Sequence, residues 1–358
     1  MNGDKKTLLI LSPGFPKNEN DSSCLPFLQN LMLELNELFP SLKIIVLAFD
    51  YPFSSETYLW KKNEVFCFNG WEKRYLKKLY KWFLVWRTLK KVHRNNNITG
   101  ILSLWCGECA FLGNRFSKKN RIRHFCWLQG QDAKKDNRYV ARIKPAATEL
   151  LAISDFIQKT FENNHGIKPG HVVPIGIRPV EFLNEKPTRD IDILGVGSLI
   201  PLKQYDLFIE VIHTLKENFP NIKAVLCGKG PEETKLKMLV EEYGLQNNMI
   251  LTGELPHASI LQYMNRCKVF IHTSNYEGLV NVCMEALYAG CKVISFVKPM
   301  NYNIENWNVV QTTEEMKAKT EAMLNNTAIE FNSVLAFNMK ETAIKIMQLY
   351  DYKEATIS

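Results

Sequence analysis

Short apolar runs alternate with longer amphipathic ones twice along this chain, and no other feature restricts the fold as strongly. In the first half the runs lie at residues 7–11, 43–48, 100–104, 124–128 and 150–153. In the second half they lie at 191–196, 223–227, 249–252, 269–272 and 292–296. Each has the length of a buried strand. Between them fall helical patterns such as 205–218, with Phe208, Val211, Ile212 and Leu215 on one face. Pro231 followed by Glu232 and Glu233 opens another, because proline and acids are favoured in a first helical turn. Apolar strands alternating with amphipathic helices form parallel sheets covered by helices. At 358 residues the chain exceeds what one core supports. The expectation is therefore an α/β protein with two sheets in series.

The boundary falls where Pro174, Gly176, Pro179 and Pro187 interrupt a polar stretch. This gives a first domain over 1–174, a linker over 175–187 and a second domain over 188–335. Residues 336–358 follow the second sheet and contain a helical pattern at 336–350, expected to pack back on the first domain. Charge divides the same way. Residues 1–180 hold 28 Lys/Arg against 15 Asp/Glu, and the remainder 17 against 22. A basic half suits an anionic partner, a membrane surface or a nucleic acid. No apolar run is long enough to span a bilayer, and Pro13 and Gly14 cut short the N-terminal one. Nine scattered cysteines suit a reducing compartment. The expected location is the cytoplasm.

The most informative stretch is 269–296, which reads strand, loop, helix, a stop at Gly290 and another strand. Ligands of such sheets bind at the carboxyl ends of the strands, which places the loop 275–280 at a site. The amides that open the following helix, at Leu279, Val280, Asn281 and Val282, suit an anion such as phosphate. Glu277 and Glu285 flank that position, and a carboxylate there accepts two hydroxyls of a ribose or hexose. Two solvated glutamates around an ordinary helix start are the simpler alternative.

With Glu277, Gly278, Asn281, Val282, Glu285, Ala286 and Gly290 in this order, the chain resembles retaining glycosyltransferase family 4. That family has the GT-B fold, two Rossmann-like domains facing across a cleft. The resemblance spans nearly the whole chain and is strongest over 190–296. It implies that Glu277 lies close to the transferred sugar and Glu285 binds the nucleotide ribose. Gly195, Gly197, Ser198 and Lys203 follow a strand and precede a helix. There the resemblance makes Lys203 the charge aimed at the donor diphosphate. Ser198 stands where the family usually has arginine. Gly228-Lys229-Gly230-Pro231 resembles the family's turn near the nucleotide, and equally fits glycines that only close a tight turn.

The first domain departs more from the family. Gly14 lies in the loop after the first strand, where a Gly-Gly pair is usual. Gln129-Gly130-Gln131-Asp132 resembles a His-Gly-x-Asp motif with glutamine in place of histidine. Gln129 can hydrogen-bond a sugar hydroxyl but cannot titrate near neutrality. Asp132 is a candidate for the site or a helix cap. The implied activity is transfer of a sugar, with retention, from a nucleotide-diphosphate donor to a glycan or lipid-linked acceptor, as in surface polysaccharide assembly. No cofactor or metal is expected, because no Asp-x-Asp stands near the motif. A sugar-nucleotide epimerase of the same fold, or a non-catalytic binder of nucleotide sugars or polyanions, are the alternatives.

Two further signals remain. Cys106-Gly107-Glu108-Cys109 has the spacing of a redox motif, but two serial sheets do not fit a thioredoxin domain, and packing explains both residues. Residues 71–94 form the most basic helical pattern. On a wheel Trp71, Tyr75, Leu79, Trp82, Trp86 and Leu89 fall on one face, with Lys73, Arg74, Lys77, Lys81 and Lys91 opposite. The expectation is a helix whose apolar face packs on the sheet and whose basic face meets anionic lipid, making the protein peripheral to a membrane. No nucleic-acid-binding module accompanies the charge.

Overall fold

The computed structural model describes residues 5–70, 75–182 and 188–353. Of the linker, 183–187 lie outside the described residues, as do Trp71, Lys73 and Arg74 of the basic pattern. The chain forms two units, Met1–Gly176 with Met339–Ser358, and Ile177–Asn338.

In the first unit the elements run β1 (Lys6–Gly14), α1 (Pro26–Leu38), β2 (Lys43–Tyr51), β3 (Thr57–Trp60), β4 (Asn63–Cys67), α2 (Tyr75–Asn95), β5 (Asn97–Leu104), α3 (Glu108–Asn120), β6 (His124–Leu128), α4 (Arg138–Ile143), β7 (Leu150–Ala152), α5 (Asp155–His165) and β8 (His171–Val172). The strands form one sheet in the order β3-β4-β2-β1-β5-β6-β7-β8. Every pairing is parallel except β3 with β4. Leu9, Leu11, Ile45 and Leu47 are fully buried, as near-continuous apolar strands require. The strand expected to end at Leu11 continues through Gly14, because Gly14 pairs with Tyr51 beyond an irregularity at Ser12. Gly14 is therefore a strand residue rather than part of an open loop.

The second unit runs β9 (Ile191–Val196), α6 (Tyr205–Leu215), β10 (Ala224–Cys227), α7 (Glu233–Glu242), β11 (Met249–Gly253), α8 (His257–Asn265), β12 (Cys267–His272), α9 (Asn281–Tyr288), β13 (Lys292–Ser295), β14 (Trp307–Val309) and α10 (Thr313–Asn325). Its sheet is wholly parallel, in the order β11-β10-β9-β12-β13-β14. This is the doubly wound order, reversing direction between β9 and β12. Phe208, Val211, Ile212 and Leu215 of α6 are buried against it. Each such side chain contributes about 1.5–3 kcal/mol of burial relative to exposure.

The last helix, α11 (Met339–Gln348), belongs to the first unit and packs against α1. Tyr350 just beyond it is buried and donates its hydroxyl to the Ile101 carbonyl at 2.8 Å. Gly100 makes room, since a Cβ there would strike the Tyr350 ring.

Helix α2 corrects the wheel. Its core side is Val85, Leu89 and Val92, and that row runs on through Lys81. Lys81 is not on a solvated face. It is 8% exposed and pairs with Asp50 at 2.5 Å and Glu108 at 3.1 Å. Leu79, expected inside, is 41% exposed, together with Leu76, Tyr80 and Phe83. Among the described residues no helix is long and apolar enough to cross a membrane.

Candidate active site

In a doubly wound sheet the crevice outside the carboxyl ends opens where strand order reverses. In the second unit that is between β9 and β12, so the loops leaving these two strands meet. The loop from β9 makes a short 3-10 turn, Pro201–Lys203, closed by Gln204 in the left-handed backbone region (φ 50°) before α6 begins. This turn points Lys203 at the loop from β12. The Lys203 ammonium donates to Glu277 Oε1 at 2.5 Å, with side chains 18% and 19% exposed. The Thr273 hydroxyl donates to the Lys203 carbonyl at 2.5 Å and ties the loops together. Two residues separated by 74 positions thus share one ion pair.

The helix α9 starts beside this pair. Leu279 and Val280 bury their side chains, so any contact they make with an anion runs through main-chain amides. Asn281 is the first helical residue, and Val282 follows half-buried. Glu285 lies one turn further on, 9% exposed. His257 at the start of α8 donates from Nε2 to Glu285 Oε1 at 2.9 Å. Burial opposes the His257 cation, but the Glu285 carboxylate outweighs it and raises the imidazole pKa. The stabilisation from that pair is full below the ordinary value of 6.5 and is lost as pH rises through the raised one. A carboxylate has about four acceptor positions, so His257 fixes Glu285 while leaving capacity for hydroxyls.

The turns around the pair have a packing reason of their own. A Cβ on Gly228 would collide with the Gly197 carbonyl, and one on Gly230 with the Leu199 carbonyl. Ser198, in the same loop as Lys203, is exposed. Gly278 directly follows Glu277 in the loop before α9.

The first-unit candidates are occupied differently. Asp132 accepts from the amides of Cys106 at 2.8 Å, Gly130 at 2.8 Å and Gln129 at 3.0 Å. Burial raises its pKa despite those donors. Its carboxylate thus braces the turn after β6. Gln129 is half-buried, with its side-chain amide 3.4 Å from the Trp127 carbonyl. Cys106 and Cys109 are buried, and burial drives the Cys109 thiol pKa well up, opposite to a reactive thiolate. Among the described residues no three His, Cys, Asp or Glu side chains gather as a metal's ligands would.

Three polar side chains near this site carry no motif. His257 lies 28 residues before Glu285, and only the packing of α8 beside α9 joins them. His272 ends β12, and Tyr205 begins α6. Neither shows a sequence pattern that distinguishes it from an ordinary core residue.

Residues 180–330 match the family described as Glycosyl transferases group 1. These residues belong to that family. The match takes in the Lys203–Glu277 pair, Glu285 and the whole second sheet of the group 1 glycosyltransferase region. A component of the phosphatidylinositol N-acetylglucosaminyltransferase of Arabidopsis thaliana is 27% identical over 152 residues, which cover 41% of this chain and 34% of that protein. The chain thus spans about a third of that relative's length. Among solved structures, sucrose-phosphate synthase of Thermosynechococcus elongatus aligns with a TM-score of 0.71 at 15% identity, covering 97% of this chain and 98% of that one. HepE of Anabaena in complex with UDP-glucose aligns with a TM-score of 0.67 at 16% identity, covering 97% of each. The chain has the GT-B fold of these glycosyltransferases.

Proposed function

We propose that the protein transfers a sugar from a nucleotide-diphosphate donor to a glycan or lipid-linked acceptor, with retention of anomeric configuration, in the assembly of a surface polysaccharide. The ion pair of Lys203 and Glu277 beside the start of α9 carries this reading. A cation and a carboxylate paired at the switch point of one sheet suit a departing diphosphate and a sugar. The bond from the anomeric carbon to the diphosphate breaks, a bond to the acceptor oxygen forms on the same face, and the acceptor's hydroxyl proton passes to the departing diphosphate. The sugar passes through an oxocarbenium-like state. Charge on the leaving diphosphate is met by Lys203 and the amides opening α9. UDP-glucose in the HepE complex and the N-acetylglucosaminyl transfer named for the plant relative make uridine diphosphate sugars the first donors to test. Release of UDP from a panel of such donors, with and without acceptor extracts, tests the assignment. Binding of UDP without turnover of any donor would make the protein a non-catalytic binder. A sugar epimerised without acceptor would make it an epimerase.

Glu285 is the ribose ligand on this reading. Glu285→Ala should weaken UDP binding by about 1.5–3 kcal/mol, the range for a hydrogen bond to a charged group. Calorimetric titration reads this, and unchanged affinity removes Glu285 from the nucleotide site.

The acceptor's membrane is the second part of the proposal. On α2, Leu76, Leu79, Tyr80 and Phe83 are exposed at helical spacing, with Lys77, Arg87, Lys90 and Lys91 among them. Exposed apolar side chains interleaved with cations suit the interface of an anionic bilayer, where each basic residue contributes about 1 kcal/mol. Leu76→Ser with Tyr80→Ser and Phe83→Ser, and separately Lys77→Gln with Arg87→Gln and Lys90→Gln, should each release the protein from phosphatidylserine vesicles. Salt should weaken vesicle binding by the unaltered protein and whatever binding remains in the apolar variant, and should leave any binding that remains in the basic variant unmoved. Undiminished vesicle binding by both variants places the attachment elsewhere.

A further inference from the structure

Lys203 and Glu277 satisfy each other at 2.5 Å. The proposed function asks Lys203 to meet a diphosphate as well, and an ammonium drawn to phosphate gives up its carboxylate. Glu277 would then keep a charge in a largely buried position without its ionic partner, which is costly.

One group stands within reach. His272 is 2% exposed, and neither ring nitrogen has a hydrogen-bond partner. Buried polar groups are rarely left so. Its Nε2 lies 3.9 Å from Glu277 Oε1, about an ångström beyond hydrogen-bond length. Burial first, and the Lys203 charge second, push the imidazole pKa down to about 3, so the ring is neutral and carries a proton on one nitrogen.

We propose that His272 is a positioning residue for the transfer. When the donor diphosphate takes Lys203, His272 donates from Nε2–H to Glu277 and holds the carboxylate at the sugar. The Lys203–Glu277 pair is then the resting arrangement, and donor binding exchanges one partner of Glu277 for another. The exchange explains why β12 ends in a buried histidine with unused nitrogens directly under the pair. It rests on the placement of Lys203 and Glu277 given above.

The test compares His272→Leu, His272→Gln and Glu277→Gln in the full chain, with UDP as binding probe and UDP-N-acetylglucosamine as donor. His272→Leu should keep its UDP affinity and lose roughly 10- to 100-fold in kcat, the effect of one hydrogen bond to a charged group. His272→Gln retains an N–H donor and should recover most of that loss. A merely structural role would lower thermal stability in both variants and would not separate kcat from UDP affinity. In the unaltered protein with isotope-labelled histidine, saturating UDP should shift the His272 Nε2 resonance, an observation that does not depend on any variant folding. Normal kcat in His272→Leu, or an unmoved Nε2 resonance at saturation, overturns the proposal. If Glu277→Gln is inactive while His272→Leu is normal, only the role of His272 falls. If Glu277→Gln also turns over normally, the placement of Glu277 itself falls.

Discussion

Glu277→Gln should cut turnover by roughly a hundredfold or more while leaving UDP affinity intact, as expected where a charge serves the transition state rather than the ground state. Glutamine keeps the shape of the side chain and removes its charge. On the proposed function, the positive charge that develops on the sugar ring then loses the carboxylate facing it. The substitution also dissolves the ion pair at 2.5 Å, which leaves Lys203 entirely to the diphosphate. Affinity for UDP should therefore hold or tighten, and only kcat should fall. Calorimetric titration of UDP, set against the rate of UDP release from a donor sugar, separates the two. Normal turnover removes Glu277 from the reacting centre. An equal fall in affinity and rate means that the loop from β12 has lost its shape.

The doubly wound pattern was readable in the sequence because strands buried on both faces are continuous apolar runs, and ten of them stand out. The hairpin of β3 and β4 was not. Its strands are short and half-exposed, with Leu59 at 65%, so no such run forms. Glu277 and Glu285 stood out as candidates because strand, loop and helix keep them in one local segment. Their partners are tertiary. Lys203 meets Glu277 only because the sheet order reverses between β9 and β12, and His257 meets Glu285 only across two helices. The face of α2 was misread for a related reason. A wheel weighs tryptophans as core, but Trp82 and Trp86 sit at the border of the buried face, and Trp82 spends its indole N–H on Glu108 at 2.9 Å. The same half-buried carboxylate draws in Lys81, so a lysine occupies a position that hydropathy alone assigns to water.

Lys203→Ala is expected to separate the phosphates from the rest of the nucleotide. On the proposed function the ammonium is the main cation for the diphosphate, because Ser198 supplies a hydroxyl where an arginine fork would add charge. Losing it should cost about 1.5–3 kcal/mol in UDP binding, roughly 10- to 100-fold. The penalty should shrink for UMP and vanish for uridine, which has no phosphate. Turnover should fall further than UDP affinity, since the charge on the diphosphate grows as the sugar departs. The variant also leaves Glu277 without its ionic partner, so a general loosening of the site must be told apart from a lost phosphate contact. The ligand series does this. Loosening weakens uridine, UMP and UDP alike, whereas a lost phosphate contact weakens them in order of charge. Ser198→Arg supplies the opposite change at an exposed position, where a larger side chain is accommodated in solvent. It should leave uridine binding alone and hold or tighten UDP. Equal loss for all three ligands in Lys203→Ala would make the lysine a brace for the two loops and move the diphosphate elsewhere.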